Sequence, residues 1–430
     1  MRLFTCIALL ALLITGCKKN RPVARAADYD RFLQPGLVAS KVNKLEKELR
    51  FWEMRLGADT GSFVCQSEMA SYHLKLFKLT GKTAHLHTGD SLLRESSARL
   101  RHSGPELLYA LSQVSVMQHR FREAAGYIDM AAGRGDSYTT SLLQFDNYME
   151  LGKYPEANKL LESLRDKTAF DYLVRRAKWE DHQGRLEAAI GLMEKALEKV
   201  KDKNPSLLAW VQSNLGDMYG HAGRVEDAYQ CYLSVLDKDP ADLYCLKGIA
   251  WIAYAHDHNT AEAKRIIQYI LSRTSMPDLK LVLADIAETE GRPEEKRRLL
   301  ESFVSQVTQP AYGDMYNKYL LQIYTNETNE YDKAYALAAR EMDHRFTPET
   351  CNWMAWVEYK RGNLQQAAAI TNAYVINRTS EPDALIHSAY IYAGTGKKEK
   401  AKQLLQACLA SAFEIGPLQA REVKEKLASL

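Results

Sequence analysis

The chain is a succession of short amphipathic segments in which apolar residues recur three and four positions apart. This period is that of a helix with one buried face. One such segment runs from Val38 to Leu56, and from about Ser67 onward helix follows helix. No stretch shows the strict apolar and polar alternation of a half-buried strand, so the pattern predicts an all-α fold.

Many of the predicted helices are separated by a glycine, and the residues around these glycines repeat. The aligned glycines are Gly152, Gly184, Gly223, Gly291 and Gly396. Five residues after them stand Ala157, Ala189, Ala228, Lys296 and Ala401, and four residues later Leu161, Met193, Tyr232, Leu300 and Leu405. Glycine can adopt the left-handed conformation that ends a helix, and a small alanine lets two antiparallel helices approach closely. The spacing therefore predicts a helical hairpin that is repeated many times along the chain.

Residues 208–241 give the fullest copy, with Leu215, Gly216, Tyr219, Gly223, Ala228, Tyr232 and Pro240 in phase. This copy resembles the tetratricopeptide repeat, a helical hairpin of about 34 residues. The resemblance implies a right-handed superhelical solenoid of about ten hairpins over residues 67–413. Residues 414–430 are expected to form a C-terminal capping helix. Because hairpins in such arrays contact only their neighbours, we expect an elongated molecule.

The N-terminus has the features of a targeting segment. Arg2 precedes an apolar run from Leu3 to Ile14, which is too short to cross a bilayer and is typical of a signal peptide, here residues 1–16. Residues 14–17, Ile-Thr-Gly-Cys, resemble the lipobox of bacterial lipoproteins, which implies cleavage before Cys17 and acylation of its sulfur, with palmitate among the expected chains. An ordinary signal peptide followed by a chance cysteine is the alternative.

The segments after Cys17 are expected to connect this lipid to the fold. Residues 17–36 are basic, alanine-rich and bracketed by prolines, which favours a flexible tether, and residues 37–66 are expected to hold a leading helix and a connection. Lys18 and Lys19 stand where an aspartate would retain a lipoprotein in the inner membrane of enterobacteria. We therefore expect the outer membrane, and the sequence leaves periplasmic and surface exposure equally open.

Composition and charge narrow the range of possible functions further. The chain is 46% hydrophobic and 26% charged, and its net charge of +3 falls to +2 on cleavage because only Arg2 is charged in residues 1–16. This near-neutral balance gives no reason to expect a nucleic-acid partner. The remaining free cysteines lie singly in helical patterns and are expected to be buried apolar residues; they are Cys65, Cys231, Cys245, Cys351 and Cys408.

The motifs that usually mark enzymes are missing from the sequence: it contains no HExxH, CxxC, GxSxG, Walker or GxGxxG pattern. We therefore expect neither catalysis nor a cofactor. His256 and His258 could converge on zinc from a turn, but a polar solvated turn is the favoured interpretation, and the same applies to His85 and His87. Tryptophans at helical spacing are expected in the core, namely Trp251, Trp353 and Trp356.

In the tetratricopeptide family, the first helix of each hairpin lines a concave groove that binds a protein or peptide. Transferred to this chain, the groove residues are Asp146, Lys178, Asp181, Trp210, Asp217, Asp285 and Glu288. Five carboxylates oppose one lysine, which favours a basic or amine-bearing partner with Trp210 as an aromatic anchor; merely solvated positions are the alternative. Asp171, Asp278 and Asp383 stand in the first turns of predicted helices, where the helix dipole alone explains an acidic residue.

The hypothesis is a membrane-anchored scaffold that binds a protein or peptide in this groove. The alternative is a helical-repeat lipoprotein that captures glycans or nutrients together with a TonB-dependent porin. Such proteins usually carry large insertions and exposed aromatic platforms, whereas here the hairpins follow one another with little room between them.

Overall fold

The computed structural model describes residues 21–59, 61–164, 166–201 and 204–430. Its described residues are helical, without strands, and most of them form hairpins of consecutive helices. The hairpins are α3 (Phe63–Thr80) with α4 (Thr83–Arg99), α5 (Pro105–Met117) with α6 (Phe121–Ala131), α7 (Ser137–Glu150) with α8 (Tyr154–Ser163), α9 (Phe170–His182) with α10 (Leu186–Val200), and α11 (Pro205–His221) with α12 (Val225–Lys238). They continue with α13 (Leu243–Ala255) and α14 (Thr260–Leu271), α15 (Leu279–Thr289) and α16 (Pro293–Val307), α17 (Asn317–Asn326) and α18 (Tyr331–His344), α19 (Pro348–Lys360) and α20 (Leu364–Ile370), and α21 (Pro382–Gly394) and α22 (Lys398–Leu409).

Before the hairpins come α1 (Ala26–Tyr29) and α2 (Pro35–Ala58), and after them α23 (Ala412–Ser429). Three short turns complete the described helices: Asp30–Phe32, Pro310–Tyr312 and the π-helical Thr371–Val375 that extends α20. The hairpins follow one another as a right-handed superhelical solenoid, which confirms the fold class predicted from the repeat spacing.

The local rules inferred from the sequence explain the hairpins. The five aligned glycines all have φ between 70° and 79°, and the four alanines that follow them at the repeat spacing are fully buried. Where a copy lacks its glycine, another residue takes the left-handed position: His119, His258 or Asn329, with φ of 57°, 53° and 57°. His258 is therefore the turn residue of the α13–α14 hairpin.

The solenoid winds tightly enough for its second superhelical turn to stack on its first. The amide of Ser275 donates to the carbonyl of Thr80 over 2.7 Å, and the guanidinium of Arg122 donates to the carbonyl of His344, 222 residues away, over 3.2 Å. A Cβ added to Gly152 would overlap the carbonyl oxygen of Phe346. The expectation that each hairpin contacts only its neighbours is therefore wrong, because hairpin turns of the first half abut loops of the second.

Residues 21–34 form a strap along the outside of α12 and α14, which we call the N-terminal strap. The side chains of Tyr29 and Phe32 are 0% and 4% exposed, and the amides of Val23 and Ala24 both donate to the carboxylate of Asp257. The flexible tether predicted for residues 17–36 is thus corrected for its described part. Its apolar residues Val23, Ala24, Tyr29 and Phe32 join the main hydrophobic core of the repeats, and α2 continues from the strap to α3.

The C-terminal helix α23 covers the last hairpin and also reaches back to α11 and α13. It bends at Gly416, whose φ of 75° leaves the helical region. Among the described residues, no helix is both long and apolar enough to cross a bilayer. Four of the five free cysteines are buried, and Cys231 is half-buried.

Candidate binding cavity on the concave face

A cavity of about 360 Å³ lies where α11, α13 and α15 meet the beginning of α23. Its polar lining residues include Asp217 and His221 of α11, Lys247 of α13 and Glu414 of α23, and its aromatic wall includes Trp251 and Phe413. The volume suits a side chain or a small molecule rather than a folded domain. Because α23 returns from the far end of the chain, the cavity exists only in the wound solenoid.

The Asp217 carboxylate is held in place by two tyrosines. The hydroxyl of Tyr232 donates to Asp217 Oδ1 over 2.7 Å, and the hydroxyl of Tyr244 donates to the other oxygen. Burial raises the pKa of Asp217 above its ordinary value, although both hydrogen bonds and the nearby His221 and Lys247 act in the opposite direction. The result is an oriented carboxylate in a partly desolvated site, where a cation would be favoured.

Tyr232 is fixed in turn by two glycines on its neighbouring helices. A Cβ at Gly216 would lie 2.6 Å from the Tyr232 ring, and a Cβ at Gly248 would lie 2.6 Å from its other edge. Only helices without side chains at these two points can sandwich the ring. The small residue at position 216 of the repeat therefore serves to place the tyrosine that orients Asp217.

The aromatic wall links α13 to the beginning of α23. The indole Nε1 of Trp251 donates to the carbonyl of Phe413 over 3.0 Å, and the Phe413 ring lies against Gly220. Trp251 is half-buried and lines the cavity, whereas Trp353 and Trp356 are 4% and 6% exposed. The core placement expected for the tryptophans is thus confirmed for Trp353 and Trp356, while Trp251 packs partly buried against the core and also lines the cavity.

Beside the cavity lies a group of carboxylates that we call the acidic rim: Asp181, Glu381, Asp383 and Glu414. Burial raises the pKa of Glu414, and the negative charges of Asp383 and Asp181 raise it further. Burial likewise raises the pKa of Glu381, with Glu414 and Asp181 adding to the effect. Two basic side chains oppose this effect: the Lys318 ammonium is 3.7 Å from Asp383, and His221 acts on Glu414 and Asp181. The rim therefore carries an excess of mutually repelling negative charge.

A second acidic group surrounds Asp285, one hairpin further along. Burial raises the pKa of Asp285 to about 7, opposed by Lys296 and reinforced by Glu288, Glu327 and Glu422. The Lys296 ammonium is 2.6 Å from Glu288 and 2.8 Å from Glu327. Three of these charges are therefore already paired, while Asp285 is partly buried and has no salt-bridge partner of its own among the described residues.

The predicted groove residues are thus divided among five environments. Asp217 lines the cavity, Asp181 belongs to the acidic rim, and Asp285 and Glu288 form the second group. Asp146 is paired with Arg175 at 2.6 Å and Lys178 with Glu150 at 2.9 Å, so both belong to ion pairs. Trp210 is 44% exposed, two helical turns before Asp217, and is not among the residues lining the cavity. Cys17 lies outside the described residues.

Sequence reasoning missed Glu381, Asp383 and Glu414. In the sequence, Asp383 is an ordinary first-turn acid, and Glu414 opens the predicted capping helix. Asp181 lies close enough to Glu414 to raise its pKa, although more than 200 residues separate the two in sequence. No local spacing could have indicated this.

The histidines flagged as possible metal ligands have other contacts. Both Asp257 oxygens accept backbone N–H groups, and the Nδ1 of His256 is 2.8 Å from one of them. His85 contacts the Nδ1 of His73 at 2.9 Å, and His87 contacts the carbonyl of Ala311 at 2.7 Å.

In the described part of the chain, three potential ligands converge at Asp314, Glu341 and His344. Asp314 is paired with Arg340 at 2.8 Å, and Glu341 is 3.4 Å from Arg345. The two carboxylates therefore already have cationic partners.

The tetratricopeptide repeat family matches residues 142–205 by sequence. Among solved structures, the chain is similar to the human IFIT1 dimer with PPP-AAAA, at 13% identity over 72% of this chain and 71% of that one, with a TM-score of 0.47. It is also similar to a tetratricopeptide repeat protein from Parabacteroides merdae (14% identity, 60% and 97% covered, TM-score 0.34) and to yeast Tom70 (12%, 93% and 96%, TM-score 0.32). No curated protein matches the sequence. The chain thus carries tetratricopeptide-repeat sequence in residues 142–205, within a longer array of the same hairpin architecture.

Proposed function

We propose that the protein is a membrane-anchored scaffold that captures a basic segment of a protein or peptide partner on its concave face. The observation that carries this proposal is the placement of the acidic rim beside a cavity with an oriented carboxylate and an aromatic wall. The role is one of binding rather than catalysis. The anchor is the lipid on Cys17, and the expected location is the outer membrane.

The chemistry of the cavity favours a lysine or arginine side chain. Asp217 and Glu414 supply negative charge, and Trp251 and Phe413 supply ring surface on which a cation and its methylene stem can rest. A bound cation would also offset the repulsion among rim carboxylates that raises the pKa of Glu414. Trp210 is exposed on the same helix as Asp217 and could contact the flanking part of an extended segment.

The test compares two double variants that remove the same charge. Asp217→Asn with Glu414→Gln neutralises the cavity, whereas Glu226→Gln with Asp227→Asn neutralises two carboxylates on the outer helix α12. Binding of a fluorescent tetralysine peptide, measured by anisotropy, should weaken at least about tenfold for the cavity variant, which corresponds to about 1.4 kcal/mol. The control should bind like the wild type.

Salt provides a second check, because screening weakens interactions between accessible charges. Wild-type affinity should fall as salt rises, and the gap between wild type and the cavity variant should narrow. Equal affinity of both double variants, with unchanged helicity, would exclude the cavity as the binding site.

One observation favours the alternative of glycan capture. Phe346 and Tyr374 are 50% and 43% exposed and lie edge to face with ring centroids 5.1 Å apart. They line a second cavity of about 820 Å³ between the two superhelical turns, and an exposed aromatic pair is a surface on which sugars can stack. Glycan-array binding that is lost in Phe346→Ala, with tetralysine binding unaffected, would support this alternative.

A further inference from the structure

We infer that the N-terminal strap holds the edge of the solenoid formed by the α13–α14 turn, residues 256–259, against the membrane surface. The inference rests on the acylation of Cys17 proposed above. A lipid anchor by itself would not fix how the solenoid is oriented relative to the membrane, whereas the strap would. The partner of this edge is then the lipid headgroup layer.

The first step is the capture of the chain at residues 23 and 24. The amide of Val23 donates to Asp257 Oδ1 over 2.9 Å, and the amide of Ala24 donates to Oδ2 over 2.8 Å. The Asp257 side chain is only 3% exposed, so these charge-assisted hydrogen bonds are shielded from water. The left-handed residue His258 makes the tight turn that presents this carboxylate.

The second step is the attachment of the strap along its length. The hydroxyl of Tyr229 accepts the amide of Arg25 over 3.1 Å, and Tyr29 is fully buried with its hydroxyl bonded to Glu262. Further along, the Arg265 guanidinium is 2.5 Å from Asp30, and the Tyr269 hydroxyl donates to the carbonyl of Gln34 over 2.9 Å. These contacts follow α12 and α14 from their beginnings toward their ends, so the strap has one position and one direction.

The third step is the reach of the remaining chain. Five residues lie between Cys17 and Val23, and an extended chain spans at most about 3.6 Å per residue. These six chain steps limit the separation of the two Cα atoms to about 22 Å, and Val23 is bonded to Asp257 in the α13–α14 turn. Lys18, Lys19 and Arg21 occupy this short span, and Arg25 is 57% exposed just after it. Their charges suit the phosphates of a headgroup layer. A long flexible tether would have imposed no such limit.

The experiment uses the full-length acylated protein in liposomes that contain a lipid with a spin-labelled headgroup. A fluorophore is attached to His258→Cys at the proposed membrane edge or, as the matched control, to Lys238→Cys at the far end of α12; both positions are exposed. Labelling of the wild type gives the background from its native cysteines. Quenching should be several-fold stronger for His258→Cys than for Lys238→Cys.

Releasing the strap should remove this difference without removing the lipid. Asp257→Ala deletes both acceptors, and Ala24→Pro deletes one donor without changing any residue of the solenoid. Acylation is followed by mass spectrometry, so two failures are distinguishable. An acylated protein with an intact strap that is quenched equally at both positions overturns the orientation and leaves the anchor intact, as does a quenching difference that persists in both strap variants. A protein without lipid overturns the anchor and this inference with it.

Discussion

Gly216→Ala should destabilise the protein, although alanine is the better helix former. Replacing an interior helical glycine by alanine normally gains about 1 kcal/mol. At this position the new Cβ would lie 2.6 Å from the Tyr232 ring, which cannot withdraw because Gly248 closes its other side at the same distance. Overpacking of this kind costs about 1–3 kcal/mol. With a ring confined on both sides we expect the upper part of that range, and so a net loss of about 1–2 kcal/mol.

Gly191→Ala is the matched control, because Gly191 is also helical but has no neighbouring atom within 4 Å of an added Cβ. It should stabilise the protein by about 0.5–1 kcal/mol. Urea unfolding followed by circular dichroism measures both changes. In a Tyr232→Leu background the cost of Gly216→Ala should shrink, since the smaller side chain leaves the space free. Shifts of the same sign for the two glycines, or an undiminished cost in the leucine background, would refute the packing argument.

Three further outcomes are expected. Burial raises the folded-state pKa of Asp285 to about 7, so the free energy of unfolding falls as pH rises from the ordinary carboxyl range toward that value and levels off above it. Asp285→Asn should therefore raise the melting temperature more at about pH 8 than at about pH 5; an equal shift at both would contradict this. Gly152→Ala and Gly223→Ala both place a side chain on a left-handed residue, but only the Cβ of Gly152→Ala would also meet the Phe346 carbonyl. Gly152→Ala should therefore have the lower melting temperature and a larger radius of gyration in small-angle scattering. Equal effects of the two substitutions would argue against stacked superhelical turns. Cys17→Ser should abolish acylation; a processed, lipidated variant would contradict the anchor.

The hairpins could be predicted from the sequence because each rests on a local rule. A glycine such as Gly184 ends one helix, and a small alanine such as Ala189, five residues later, lets the next helix pack closely against the first. Even the copies without a glycine obey the rule, since His119 and Asn329 take the same left-handed conformation. Local spacing therefore predicts the fold class and the approximate number of repeats.

The stacking of the two superhelical turns could not be predicted in this way. It depends on backbone carbonyls, such as that of Phe346 opposite Gly152, which leave no residue pattern. The candidate site likewise combines residues that local spacing indicates with residues that only the stacking brings in. Asp181 and Asp217 were found from their position on first helices, whereas Glu414 was not, because it comes from the other superhelical turn.

The strap was missed for a different reason. Its prolines, alanines and basic residues have the composition of a linker, and composition was given more weight than pattern. The apolar residues Val23, Tyr29 and Phe32 were the available signal, since all three are buried. A linker has no need of two aromatic side chains in such a short stretch.

The hydrogen bonds between Asp257 and the beginning of the strap have a consequence for how the protein folds and unfolds. Repeat arrays usually nucleate anywhere and fray from their ends, since every contact is local. Here residues 234 positions apart must meet, and closing so long a loop costs about 2 kcal/mol more in chain entropy than closing a single repeat. We therefore expect slow, cooperative refolding with few partly unfolded forms. The hydrogen bonds between Asp257 and the strap would therefore form late, so newly folded molecules would present a detached strap before they reach the native state.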